Sequence, residues 1–181
     1  MQSYDYAHRS GVEEISWEKF VELSRTLAEE LADRRVEVIV GVARAGLLPA
    51  TTVACALRCD LFPVRVTRRE QDRVVHPRPV WKVDVSEEVR GRRAAVVDEM
   101  ADTGETLALV AERVREQGAA EVIRAAMVAH SWAAPRPDVV ALETDALVIF
   151  PWDREVLVEG RWGLHPELRS ALSQQPEPPA A

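Results

Sequence analysis

Ala94-Ala95-Val96-Val97-Asp98-Glu99-Met100-Ala101-Asp102-Thr103-Gly104-Glu105-Thr106-Leu107 is the stretch whose reading decides the fold. A short apolar run ends in two adjacent acids, and a small loop with one glycine and two threonines follows. A helical stripe then begins at Leu107, continues through Val110, Ala111 and Val114, and stops at Gly118. A helix N-terminus offers unpaired N–H groups and a favourable dipole to an anion, and both threonine hydroxyls can donate to phosphate oxygens. The layout suits a substrate with a phosphate at one end and developing positive charge a few ångströms away. It is not a Walker A loop, because no Gly-Lys-Ser/Thr follows. Nor does it suit a receiver-domain aspartate, whose companion acids lie near the first strand, whereas this pair is in mid-chain.

The same alternation extends outward. Ser16 reads as the N-cap of a helix with apolar residues Phe20, Val21, Leu27, Ala28 and Leu31. Val36–Val42 reads as a buried strand, Ala43-Arg44-Ala45-Gly46 as a turn, Leu47–Leu57 as a helix and Leu61–Thr67 as a strand. Residues 68–79 read as a long polar loop of the kind that often serves as a lid, with Val80–Val85 a strand at its far end. Val122–Ala129 and Ala146–Phe150 read as further core strands, residues 1–14 as a polar lead-in, and the chain from Ser173 as a disordered tail. Strands alternating with helices predict an α/β fold with a mostly parallel central sheet flanked by helices. Ligands of such sheets bind at the carboxyl ends of the strands, which here means residues 43–46, 98–106 and 150–153.

Composition narrows the function. The chain has 181 residues, enough for one domain with a real core. Its net charge of −7 argues against a nucleic-acid-coating role. Cys55 and Cys59, four apart on one helix, form neither a zinc pattern nor a disulfide framework and read as small core residues in a reducing cytosol. No signal peptide and no apolar stretch of about 20 residues is found, so a cytoplasmic location with no membrane partner is expected.

The stretch from Val96 to Leu107 closely resembles the phosphoribosyl-pyrophosphate (PRPP) signature of the type I phosphoribosyltransferase family. Ile39–Ala50 resembles that family's pyrophosphate-loop segment, and Glu143-Thr144-Asp145 with Ile149-Phe150-Pro151-Trp152 resembles the C-terminal segment of its xanthine–guanine branch. The resemblance covers about residues 15–155 in order, within a single domain taken as 1–172. It implies the type I fold, with a small hood that covers the base. It implies Mg²⁺-dependent transfer of 5-phosphoribosyl from PRPP to a nitrogen of a heterocyclic base, most simply a 6-oxopurine. Ala101, Asp102, Thr103, Gly104, Glu105 and Thr106 would wrap the 5′-phosphate, and Arg44, Ala45 and Gly46 would meet the pyrophosphate. Asp98 and Glu99 would face the ribose, stabilise an oxocarbenium-like state and help to hold Mg²⁺, partly through water. The polar loop would be the catalytic lid, offering Arg68, Arg69 and Arg73 to the pyrophosphate, and the assembly would be a homodimer.

The base side departs from the family pattern. His130 stands where purine-using relatives carry a lysine, and a neutral imidazole donates at one nitrogen and accepts at the other. Leu147 stands where they stack the purine on tryptophan, leaving apolar contact in place of an aromatic face. His130, Leu147, Val148 and Trp152 are therefore the base-binding candidates, with Trp132 and Trp152 as possible aromatic walls. Two further readings stay open: the same reaction on a non-standard acceptor of specialised metabolism, and a non-catalytic PRPP- or nucleotide-sensing protein on the same fold.

Overall fold

The strand that carries the two acids does not stop where its apolar run stops. In the computed structural model, which describes residues 9, 11–70, 73–76 and 79–174, that strand spans Arg93–Ala101 and takes Asp98 and Glu99 into the sheet. Backbone pairing is indifferent to side-chain polarity, so a neighbour with a complete ladder carries a strand past the end of its apolar pattern.

In chain order the elements are β1 (Val12–Glu14), α1 (Trp17–Asp33), β2 (Val38–Val42), α2 (Leu47–Leu57), β3 (Asp60–Thr67), β4 (Arg69–Glu70), β5 (Arg73–Val74), β6 (Val80–Val83), β7 (Arg93–Ala101), α3 (Glu105–Glu116), β8 (Glu121–Ala129), β9 (Val139–Glu143), β10 (Leu147–Ile149), β11 (Glu155–Val158), β12 (Arg161–Leu164) and α4 (Pro166–Ser173). They form two units: Glu22–Glu143, and Met1–Val21 together with Thr144–Ala181.

The first unit holds a six-stranded sheet of order β6-β3-β2-β7-β8-β9. Every pair is parallel except β3–β6. From β2 the chain passes through α2 to β3 on one side; from β7 it passes through α3 to β8 on the other. The order reverses between β2 and β7, so the connections diverge there and leave a crevice at the carboxyl ends. The ladder shows where it opens: β7 pairs with β2 only as far as Val97, but with β8 through Ala101.

One face of the sheet is closed by α3. Val38, Val40 and Val42 of β2, Val64 and Val66 of β3, and Ala94 and Val96 of β7 form one buried cluster with Leu107, Val110, Ala111 and Val114. Each valine or leucine so buried contributes about 1.5–3 kcal/mol of transfer free energy. On β2, Gly41 permits close approach of α2. A β-carbon there would lie 2.8 Å from Leu47 Cδ2 and 2.9 Å from Ala50 Cβ.

Several expectations are corrected. The lid region is not an unstructured loop: β4 and β5 form an antiparallel hairpin, Arg69 opposite Val74 and Glu70 opposite Arg73. The N–H groups of Val75 and His76 both donate to the Arg68 carbonyl. The expected core strand 146–150 lies outside the central sheet; as β10 it pairs in parallel with β1, which lies within the supposed polar lead-in. The sheet's sixth strand is β9, whose Val-Val-Ala-Leu-Glu was hidden behind the Pro135 and Pro137 punctuation. The stretch Arg161–Leu164 is the return strand of the β11–β12 hairpin. Ser173 is helical in α4, and the tail beyond Gln174 lies outside the described residues.

Gly41→Ala tests the α2–β2 approach. Overpacking of about 1–3 kcal/mol is expected to lower the calorimetric Tm by about 2–4 °C per kcal/mol in a domain of this size.

Candidate active site

Two turns meet the crevice, and both stand on adjacent strands. After β2 comes Ala43–Gly46, in which the Ala43–Arg44 peptide is cis. After β7 comes Asp102–Gly104, leading into α3. Gly46 joins the two: a β-carbon there would overlap the Asp98 carboxylate and the Val42 carbonyl, so only glycine lets the first turn press onto β7.

Asp98 is 7% exposed, although it is an acid. Its Oδ1 accepts the Glu99 backbone N–H at 3.0 Å. Burial first, then the neighbouring Glu99 carboxylate and the hydrogen bond between the two side chains, pushes the Asp98 carboxyl well above the usual carboxylate range. Glu99 Oε2 is buried and accepts no hydrogen bond among the described residues. A buried oxygen with nothing to accept is costly, and a ligand donor or cation would relieve it. Among the described residues no cluster of three or more His, Cys, Asp and Glu side chains could hold a metal ion. Two carboxylates alone fit a Mg²⁺ whose other ligands are substrate oxygens and water, and do not fit an all-protein metal cage.

The second turn leads into the N-terminus of α3. Gly104, at φ +82°, is the N-cap of α3 and offers no side-chain cap to the first N–H groups. The Thr103 hydroxyl accepts the Glu105 N–H at 3.4 Å. Gly104 also abuts the chain that follows β8, where a β-carbon would lie 2.6 Å from the Pro135 carbonyl. Positive φ and close approach together demand glycine here. Thus Arg44, Ala45, Gly46, Asp98, Glu99 and residues 101–106 are brought to the carboxyl ends of β2 and β7.

His130 follows β8 at the same end of the sheet. Its ring is stacked on Trp132, with centroids 4.3 Å apart at 22°, and its side chain is 1% exposed. Nε2 lies 3.8 Å from Asp102 Oδ1. Buried in this way, the imidazole offers almost no surface to a base. Trp132 itself donates from Nε1 to Asp102 Oδ1 at 3.4 Å, a contact between residues 30 apart that no local motif announces.

The remaining base candidates lie in the terminal unit. Leu147 is 5% exposed opposite Val12, and Val148 stands opposite Glu13. Trp152 lies parallel to Phe150 at 4.8 Å, edge-on to Phe20 at 5.5 Å and 6.0 Å from Trp17. Its indole nitrogen is buried without a hydrogen-bond partner among the described residues.

The mostly parallel sheet thus carries an acid pair and a helix N-terminus at its switch point. A family model, the phosphoribosyl transferase domain, matches residues 12–159. The chain belongs to that family and is a phosphoribosyltransferase. It is 30% identical over 147 residues to the xanthine-guanine phosphoribosyltransferase of Nitratidesulfovibrio vulgaris strain Hildenborough, covering 78% of this chain and 85% of that one. The crystal structure of a purine phosphoribosyltransferase from Pyrococcus horikoshii superposes with a TM-score of 0.71 at 28% identity, covering 81% of this chain and 97% of that one. The xanthine-guanine-hypoxanthine phosphoribosyltransferase of Helicobacter pylori shares the fold, with a TM-score of 0.66 at 15% identity over 92% and 99% of the two chains.

The raised Asp98 carboxyl has a consequence for stability. The folded state binds that proton more tightly than the unfolded chain, so stability is greatest below the unfolded carboxylate range and falls as pH rises through the folded value. Asp98→Asn removes the loss. Scanning calorimetry in chelator is expected to give a Tm above wild type by at least about 2–4 °C at pH 8, the shift per kcal/mol for this size. The two curves should converge near pH 4, while transferase activity is lost at both pH values.

Proposed function

We propose that the chain transfers 5-phosphoribosyl from PRPP to a ring nitrogen of a 6-oxopurine, with Mg²⁺ bound alongside the pyrophosphate. The observation that carries this is the buried Asp98–Glu99 pair, with its unsatisfied Glu99 oxygen, between the Gly46 turn and the N-terminus of α3. The purine acceptor is inferred from the relatives, which are named for xanthine, guanine and purine substrates.

In this reading the 5′-phosphate accepts the N–H groups and threonine hydroxyls of residues 101–106, and its charge is favoured by the dipole of α3. Arg44 and the backbone of Ala45 and Gly46 meet the pyrophosphate. Asp98 and Glu99 accept the ribose hydroxyls and stabilise positive charge at the anomeric carbon as its bond to pyrophosphate breaks. The electron pair leaves with pyrophosphate, the unprotonated ring nitrogen of the acceptor forms the new bond with its lone pair, and the proton on the ring's other nitrogen passes to solvent. When bound, Mg²⁺ supplies charge neutralisation for the leaving group. The polar segment at about 68–79 would act as a lid, keep water from the cation and offer one of its arginines to the pyrophosphate. The family resemblance also points to a homodimer.

Pyrophosphate release from PRPP, measured against a panel of nucleobases with and without Mg²⁺, tests the assignment. Hypoxanthine, guanine or xanthine is expected to trigger release, in the presence of the metal only. PRPP binding with no release by any base would replace the enzyme with a sensor, and release by a non-purine alone would replace the acceptor. Arg44→Ala is expected to raise the KM for PRPP about tenfold or more, the weight of a charge-assisted hydrogen bond, with the KM for the base little changed.

A further inference from the structure

A purine is a flat aromatic ring, and a π-face beside it is the contact that holds such a ring without reading its edges. The residues that the sequence offers for this contact do not supply one. Leu147 is aliphatic and 5% exposed, and the His130 side chain is 1% exposed. Trp152 has its ring against Phe150 and Phe20. Three tryptophans are exposed among the described residues: Trp17, Trp132 and Trp162. Trp17 and Trp162 belong to the terminal unit, and Trp132 belongs to the unit that holds the acid pair and the turn into α3.

Trp132 is fixed beside that turn. The His130 N–H donates to the Ala101 carbonyl at 3.2 Å, and the Ala134 N–H donates to the Thr103 carbonyl at 2.9 Å. The segment after β8 is thus laced to the turn on both sides of Trp132. The indole N–H donates to Asp102 Oδ1 at 3.4 Å, and the ring lies on the buried His130 imidazole with centroids 4.3 Å apart. Trp132 remains 44% exposed, so core filling alone does not account for an indole at the rim of the crevice.

We propose that Trp132 is the stacking platform for the acceptor base: the purine lies on the exposed part of the indole, and the His130 ring supports the indole from beneath. This rests on the purine acceptor of the proposed function. A π-face is indifferent to exocyclic groups, so Trp132 sets the affinity for the ring and leaves hypoxanthine, guanine and xanthine undistinguished.

The test uses the full chain with Mg²⁺, read as KM and kcat for PRPP and for each base. Trp132→Leu keeps an apolar side chain and removes the π-face. It is expected to raise the KM for hypoxanthine, guanine and xanthine by similar factors, about 5-fold or more, the lower end of one base–aromatic stack. Trp132→Phe keeps a smaller π-face and should raise them less. A base KM unmoved by Trp132→Leu, or raised equally by the two substitutions, would overturn the proposal. Guanosine 5′-monophosphate, titrated by calorimetry and by tryptophan emission, adds a readout that a structural role does not move. Its base is expected to quench the emission of wild type, and Trp132→Phe, with the nucleotide bound, should show that quench reduced. Undiminished quenching would overturn the proposal equally. If wild type releases pyrophosphate with no purine, the acceptor reading fails and this inference with it. If wild type uses purines and the base KM or the quench does not respond, only the role of Trp132 fails.

Discussion

Everything at the crevice depends on a carboxyl group buried at the end of a strand. Asp98 sits inside the sheet because β8 carries β7 four residues past the point where β2 leaves it. Gly46 presses on it, and Glu99 shares its surroundings with one oxygen left unsatisfied. Folding therefore holds an acid pair short of donors beside a helix N-terminus. In the proposed function, the stability lost by burying these acids leaves them available to a ribose and a cation.

The sheet order explains why both halves of a phosphorylated donor can be met at once. The crossovers from β2 and β7 lead in opposite directions, so neither covers the space between their ends. In the proposed function the turn after β2 meets one anion of the donor, the turn after β7 meets the other, and the sugar spans the gap. Both turns carry a glycine, at positions 46 and 104, where a side chain would collide with Asp98 or with the Pro135 carbonyl.

The donor end was largely legible in the sequence, for a physical reason. Its signals are local: an apolar run, adjacent acids, a glycine that must take positive φ and a helix start lie within 14 consecutive residues. The helices α1, α2 and α3 and the strands β2, β3, β7 and β8 were legible for the same reason, since each carries its own periodicity. Less was visible where meaning depends on a distant partner. β1 and β10 are three-residue strands that exist only because each supplies the other's ladder. The β4–β5 hairpin has no apolar face to announce it, and β9 is a five-residue run behind two prolines.

The sequence by itself determined the α/β alternation, the glycine turn into α3, the acid pair and the family to which they point, because each is written in residues close together in the chain. Only the tertiary structure decided what those residues experience. It took Asp98 out of water, set Gly46 against it, stacked His130 beneath Trp132, and drew Asp102 toward an indole 30 residues away. Burial, close approach and long-range pairing are properties of neighbours in space, and no periodicity along the chain records them.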